Sequence, residues 1–230
     1  MENNLNTCTF CGKSFSKERT LQVHVCEPKR RHLQKNEKWV QNAFMVFQRF
    51  YQIHQNNGKP KTYEDFCESS YYRAFVKFGN YCVNINAVAP ERFMSWLLKN
   101  QKKIDHWCKD SLYEEWMMGY LQQEAVQDAL ERALKEMQDY ADQHPDLKNG
   151  FKDYFRYGNG NKICYHISNG RVSPWVIFNC DSGIDFLGSL NEEQLAMIMP
   201  WVDPDFWQRK FKDYAADAEW VKDILNKAGL

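Results

Sequence analysis

No stretch of this 230-residue sequence approaches the ~20 consecutive apolar residues that a membrane-spanning helix needs. The opening residues, MENNLNTC, carry neither the basic nor the apolar region of a secretory signal. Together these absences lead to the expectation of a soluble, intracellular protein with no membrane partner. Walker-type glycine loops, dinucleotide fingerprints, nucleophile elbows and metalloprotease helices are missing too, which removes the usual sequence grounds for an enzyme. There is no internal repeat and no low-complexity tract. Net charge is also lacking, because 30 Lys and Arg balance 30 Asp and Glu.

That balance conceals an asymmetry. Residues 1–103 hold 17 Lys and Arg against 8 Asp and Glu, whereas residues 104–230 hold 13 against 22. A basic half is an electrostatic footprint for phosphate; an acidic half can repel nucleic acid, mimic it or bind a basic partner. Aromatic rings are abundant, at 8 Trp, 12 Tyr and 15 Phe. They supply large buried areas that disordered chains lack, so most of the chain is expected to fold. Of the 8 Cys, two sit at C-x2-C spacing and the rest are scattered singly, which favours a reducing compartment over a disulfide framework.

The most specific pattern lies at the start. Cys8-Thr9-Phe10-Cys11-Gly12-Lys13-Ser14-Phe15 is followed by SKERT and then by Leu21-Gln22-Val23-His24. A C-x2-C turn between two short strands aims two thiolates at one ion, and a helix carries a histidine to its far side. Phe15 and Leu21 make a core too small to fold unaided, so metal binding supplies the folding free energy. The spacing C-x2-C-x3-F-x5-L-x2-H resembles the ββα zinc fingers of the Cys2His2 type, and the resemblance implies Zn2+ held by Cys8, Cys11 and His24.

The fourth ligand departs from that family. Three to five residues beyond His24 the chain offers Pro28, Lys29 or Arg30, none of which can serve. Cys26 and His32 are the two candidates. On a continuous helix, residues two apart point to nearly opposite sides, so Cys26 requires the helix to end near Val25, and Glu27-Pro28 favours such an end. His32 lies ~12 Å along a continuing helix, out of reach unless the chain turns back. Cys26 is preferred, giving a Cys2HisCys variant with a shortened recognition helix, and His32 stays open.

By the same resemblance, the base-facing helix positions are Lys17, Thr20 and Val23, with Arg19 between them. Lys17 can reach a guanine, Thr20 is permissive and Val23 offers only apolar contact. One finger covers ~3 base pairs, so it positions more than it specifies. Lys29, Arg30, Arg31 and Lys35 follow directly and add phosphate contacts, which points to salt-sensitive, sequence-tolerant binding of DNA or RNA. The run HVCEPKRRHLQ followed by an aromatic helix also resembles small zinc-finger proteins of large tailed bacteriophages, which implies a bacterial host cytoplasm.

The fold expected is mainly α. A ββα finger (1–28) and a basic connector (29–35) precede a helical domain (36–230) with one small β-hairpin near 162–180. Apolar periodicity predicts a helix over Trp39–Ile53, broken by Asn56-Asn57-Gly58. Thr62, with Asp65 near a capping-box position, starts a second helix carrying Phe66, Tyr72, Phe75 and Phe78, and Pro90 starts a third. Ser111 is expected to cap a long helix reaching Tyr140, stopped by Pro145. KICYHIS and RVSPWVIFNC around Asn169-Gly170 read as two strands about a primed turn, with Pro174 at an edge or bulge. Helices around 191–199, 203–215 and 217–228 close the chain.

Weaker constellations accompany these. Cys164 and His166 with Cys180 suggest a nucleophile pair or a second zinc site, and Asp181, Asp185, Asp203 and Asp205 a magnesium site, but spacing supports neither. A packed hairpin and helix caps explain them. Arg49, Arg73 and Lys77 interleave with Phe44, Phe47, Phe50, Tyr51, Tyr71, Tyr72, Phe75 and Phe78, a composition able to stack bases beside phosphates, although such rings belong first to helix cores. Three functions stay open. They are a nucleic-acid-binding accessory protein whose acidic helical body docks on a larger protein machine, a protein-interaction or structural component stapled by its finger, and a nucleic-acid-processing enzyme.

Overall fold

The computed structural model describes residues 6–54 and 59–230, so the expected break at Asn56-Asn57-Gly58 lies outside the described residues. The chain divides into two compact units, Met1–Lys109 and Asp110–Leu230. The first carries 18 Lys and Arg against 9 Asp and Glu, the second 12 against 21. The charge asymmetry of the sequence is thus partitioned between two separately packed bodies.

The first unit opens with β1 (Asn6–Thr7) and β2 (Ser14–Phe15), an antiparallel pair in the register Asn6 opposite Phe15. Helix α1 (Glu18–Val23) follows, completing a ββα unit. The segment expected to be a connector is itself helical, α2 (Glu27–Leu33). Pro28 does not end a helix but sits in the first turn of a new one, where its missing N–H would have had no partner.

Helix α3 (Lys38–His54) buries Val40, Ala43, Val46 and Phe47 along one stripe, as the periodicity predicts. Thr62 and Asp65 form the capping box of α4 (Tyr63–Glu68): the Asp65 N–H donates to Thr62 Oγ1 at 3.1 Å, and the Thr62 N–H to Asp65 Oδ2 at 2.8 Å. The helix expected to continue stops at Ser69, whose hydroxyl accepts from the Tyr71 N–H at 3.1 Å and so competes with the helical ladder. It resumes as α5 (Tyr72–Asn84), and α6 (Pro90–Lys99) begins at Pro90 as expected. A short 3-10 turn, Ile104–His106, leads to Trp107.

Aromatic rings fill the core of this unit. Phe47 meets Phe75 edge-on at 5.4 Å, and Phe78 meets Trp107 at 5.5 Å, the spacing at which edge-to-face pairs add attraction to area burial. Helices α3 and α5 touch at Gly79, where an added Cβ would fall on the carbonyl oxygen of Trp39 and lie 2.9 Å from the Ala43 nitrogen.

In the second unit the expected long helix is two, α7 (Asp110–Gln123) and α8 (Val126–Asp142), with Ser111 inside the first turn of α7. The break falls at Glu124, which turns into the core. Its Oε1 accepts from Arg132 Nη2 at 2.8 Å and from Ser173 Oγ at 3.1 Å. Helix α8 buries Ala129, Leu130, Ala133, Met137, Tyr140 and Ala141 and ends before Pro145. A 3-10 turn (Gly150–Asp153) and α9 (Tyr154–Tyr157) follow, then α10 (Gly160–Ser168), α11 (Pro174–Ile177), α12 (Asp181–Ser189), α13 (Glu192–Ile198), α14 (Pro204–Asp213) and α15 (Ala215–Ala228).

The hairpin expected near 162–180 is therefore a correction: the segment is helical, and among the described residues the two strands of the finger form the one sheet. Asn159 caps α10 by accepting from the Lys162 N–H at 3.0 Å. Ile163, Cys164, His166 and Ile167 then bury a helical stripe, which short apolar runs allow as readily as a strand. Asn169-Gly170 supplies the positive φ that a primed turn needs, but here it ends a helix. Gly170, at φ 72°, donates to Ile167 O at 2.9 Å, and Arg171 donates to His166 O at 2.9 Å, the paired closure of a Schellman motif. Pro174 opens α11 behind the cap Ser173 instead of marking a strand edge.

His166 and Glu124 are both buried in this second core. His166 Nδ1 and Tyr154 Oη are 2.8 Å apart, and Glu136 bridges to Arg171 at 3.2 Å with His166 Nε2 at 3.5 Å. Burial, followed by the nearby cations Arg171 and Lys162, lowers His166 to about 4. Burial pushes Glu124 up to about 7 against the pull of Arg132 and Ser173.

Gly79→Ala is expected to destabilise the first unit by about 2 kcal/mol, because overpacking two helix backbones outweighs the ~1 kcal/mol gain in helix propensity. Urea denaturation followed by tryptophan fluorescence checks this. The buried titrating groups act in opposite directions. The folded state disfavours protonated His166, so stability falls as pH drops from 6.5 towards 4; it also disfavours ionised Glu124, so stability falls as pH rises from 4.5 through about 7. His166→Gln should remove the first slope and Glu124→Gln the second, read from urea midpoints across that window.

Candidate metal centre

Two backbone hydrogen bonds fold the C-x2-C turn: the Cys8 N–H donates to Lys13 O at 2.9 Å and the Gly12 N–H to Cys8 O at 2.8 Å. The turn presents the buried Cys8 and the exposed Cys11 on the side towards α1. Helix α1 stops after Val23, and His24 is extended, at φ −71° and ψ 122°. Cys26, at φ −92° and ψ 166°, is extended as well and caps the start of α2. On an extended chain, side chains two apart share a face, so the requirement that the helix end early is met by the backbone itself.

The four donors of Cys8, Cys11, His24 and Cys26 all lie within 4.8 Å of one another. Cys8 and Cys26 sulfurs are 3.9 Å apart, and Cys11 Sγ is 3.3 Å from His24 Nε2. A tetrahedral ion with ~2.3 Å bonds to sulfur and ~2.05 Å to nitrogen requires edges of about 3.8 and 3.6 Å. The arrangement therefore fits a four-coordinate ion, and three thiols with one imidazole are a soft donor set suited to zinc. His32 is not among the donors; it is exposed, and its ring packs on Phe10 at 5.2 Å.

The thiols differ in acidity. Burial pushes Cys8 up, but the Phe10 and Cys11 N–H groups outweigh it and hold the thiol below its ordinary value. Cys11 gains from the Lys13 N–H, yet burial and the neighbouring Cys26 and Cys8 thiols leave it raised. Crowded thiols resist ionising together, and a divalent cation placed among them removes that penalty. Phe15, half-buried, lies 4.7 Å from the His24 ring, and Leu21 on α1 is half-buried as well.

The basic residues expected to touch nucleic acid divide into two groups. Lys17, Arg19 and Thr20 on and before α1 are exposed, as are Arg30 and Lys35, and Val23 is 73% exposed. Lys29 is turned inward, its ammonium donating to His24 O at 3.0 Å. Arg31 is committed to the fold: it pairs with Glu27 at 3.1 Å, donates to the Cys67 carbonyl and stacks 4.0 Å above the Tyr72 ring. The Tyr63 hydroxyl donates to Arg31 O at 2.7 Å, and Lys35 lies 5.0 Å over the Tyr63 ring. Through these contacts α2 is fastened to α4 and α5, while α1 is left facing solvent.

Elsewhere the expected constellations do not assemble. Cys164, His166 and Cys180 are each buried in the second core, and Asp203 caps α14 by accepting from the Asp205 N–H at 3.0 Å. Among the described residues, the four finger donors are the one group of three or more placed to hold a metal. The rings of Phe47, Phe75 and Phe78 are core, whereas Arg73 and Lys77 between them reach the surface. Sequence reasoning missed the Glu124–Arg132–Ser173 cluster, whose members are 8 and 49 residues from Glu124 and share no pattern. No helix among the described residues is long and apolar enough to cross a membrane. No protein family, curated protein or solved structure matches the chain.

One divalent ion per chain is expected by elemental analysis, and Co2+ substitution should give the intense visible absorption of a tetrahedral thiolate site. Cys26→Ser should weaken Co2+ binding by at least about 10-fold, whereas His32→Ala should leave it unchanged. The reverse result would move the fourth ligand to His32.

Proposed function

We propose that the chain is a zinc-finger accessory protein that holds DNA or RNA with little sequence preference and docks through its acidic unit on a larger protein machine. Zn2+ held by Cys8, Cys11, His24 and Cys26 supplies the folding free energy that the small Phe15–Leu21 core lacks. The single observation carrying the nucleic-acid reading is the disposition of α1. It projects Lys17, Arg19 and Thr20 into solvent while its neighbour α2 is fastened to the rest of the first unit.

An α1 of six residues is about 9 Å long. With Val23 offering no hydrogen bond, such a helix supports phosphate contacts and one base contact from Lys17, which is an anchor and not a code. Arg30, paired with Glu27, and Lys35 add further exposed cations on and just after α2. The excess of acid in the second unit and its half-exposed Trp220 suit a basic protein partner. The eight free thiols are compatible with the reducing bacterial cytoplasm that the phage resemblance implies.

A second reading, the finger as a folding staple in a structural or protein-interaction component, is favoured by the commitment of Arg31 and Lys29 to internal contacts. A salt titration of the zinc-loaded chain against mixed-sequence DNA and RNA separates the two. Binding at low salt that falls linearly on a log–log plot is expected; Arg19→Ala should weaken it equally for all sequences with a slope smaller by about 1, and Lys17→Ala should also relax the preference at the base it meets. Absence of binding at low salt would leave the staple. A partner docked on the second unit should remain bound to the full chain after nuclease treatment.

A further inference from the structure

Beside the finger, a surface groove of about 480 Å3 runs between α2, the start of α3 and α5. That is the size of an ordinary ligand site, which spans roughly 300–1,000 Å3. Arg30, Arg31, Arg73 and Lys77 line it, against the single carboxylate of Glu27. Arg73 and Lys77 stand one helical turn apart on α5, exposed, and neither forms an ion pair with a described residue. Glu27 pairs with both Arg30 and Arg31, which leaves Arg73 and Lys77 without a matching anion; unpaired like charges repel, and the folded chain gains nothing from that arrangement by itself.

A second feature of the groove points to a ligand. Tyr72 lines it and is only 5% exposed, yet its hydroxyl has no hydrogen-bond partner. Buried hydroxyls are nearly always bonded, so an unmatched one beside a cluster of cations is a donor awaiting an acceptor. Arg31 is already oriented there, stacked on the Tyr72 ring and held by the Cys67 carbonyl, so its guanidinium loses little freedom on meeting an anion. Cys26 is the cap of α2, so the donor cluster that closes the finger also sets where Arg30 and Arg31 stand.

We propose that this groove holds backbone phosphates of a nucleic acid, as a contact surface separate from α1. The inference rests on the nucleic-acid reading above and adds to it a site on the helical part of the first unit. Charge complementarity with a polyanion selects the occupant, and the Tyr72 hydroxyl, enclosed in the free chain, donates to a phosphate oxygen when the side chains around it part to admit one.

The test uses the full zinc-loaded chain and labelled mixed-sequence oligonucleotides, single-stranded and duplex, with affinity read by fluorescence anisotropy over a range of KCl. Arg73→Gln with Lys77→Gln should weaken binding about 10-fold at low salt and flatten the log–log salt slope by about 1.5, as the loss of two phosphate contacts requires. Tyr72→Phe keeps the packed ring and should weaken binding about 10-fold, the loss of a hydrogen bond to a charged group, with an unchanged thermal midpoint. If the wild-type chain binds but these variants match it in affinity and slope, the groove assignment is overturned while the role of α1 stands. If the wild-type chain binds no oligonucleotide at low salt, the functional reading falls with it. Binding of tripolyphosphate that is lost in the Arg73/Lys77 variant, without oligonucleotide binding, overturns the nucleic-acid occupant.

Discussion

Four soft donors converge at the place where α1 gives way to α2, and the architecture of the basic unit follows from that point. Cys8 and Cys11 come from a turn closed by backbone hydrogen bonds, and His24 and Cys26 from two extended residues between helices. Because Cys26 is both a donor and the cap of α2, whatever fixes the cluster also fixes the direction in which α2 leaves it. Arg31, stacked on Tyr72, and the Tyr63 hydroxyl then lock α2 to α4 and α5. A metal bound at the cluster would thereby hold more than a finger; it would hold the wall of the basic groove.

Charge is distributed in step with this construction. The unit that contains the donor cluster has twice as many cationic as anionic side chains, and the other unit reverses the balance. Within the basic unit, cations serve two purposes that the sequence runs together. Lys29 and Arg31 satisfy carbonyls and rings of the fold and Arg30 pairs with Glu27, whereas Lys17, Arg19, Arg73 and Lys77 are exposed to solvent. Lysine and arginine tolerate both uses because their long stems pack while their charges stay wet.

The finger was legible in the sequence because its information is local. A C-x2-C turn, a core Phe and Leu and a histidine lie within seventeen consecutive residues, and each acts on near neighbours. Capping boxes and N-terminal prolines were legible for the same reason, as Thr62, Asp65 and Pro90 show. The hairpin reading failed where one local signal serves two structures. Asn169-Gly170 offers a positive φ to a primed turn and to a Schellman cap alike, and the burial of Ile163, Cys164, His166 and Ile167 on a helical stripe chose between them. The breaks at Ser69 and Glu124 were likewise hidden, the first behind a hydroxyl that competes with the helix and the second behind partners far along the chain.

The sequence by itself therefore determined three of the four metal donors, the predominance of helix and the separation of basic from acidic residues, since these depend on spacing and composition. Only the tertiary structure decided that His32 packs on Phe10 instead of joining the donors, that Arg31 belongs to the fold, and that Arg73 and Lys77 share a groove with Arg30. Those outcomes depend on which helix faces meet. The meeting of α3 and α5 at Gly79 is set by the packing of a whole aromatic core, and no window of neighbouring residues contains it.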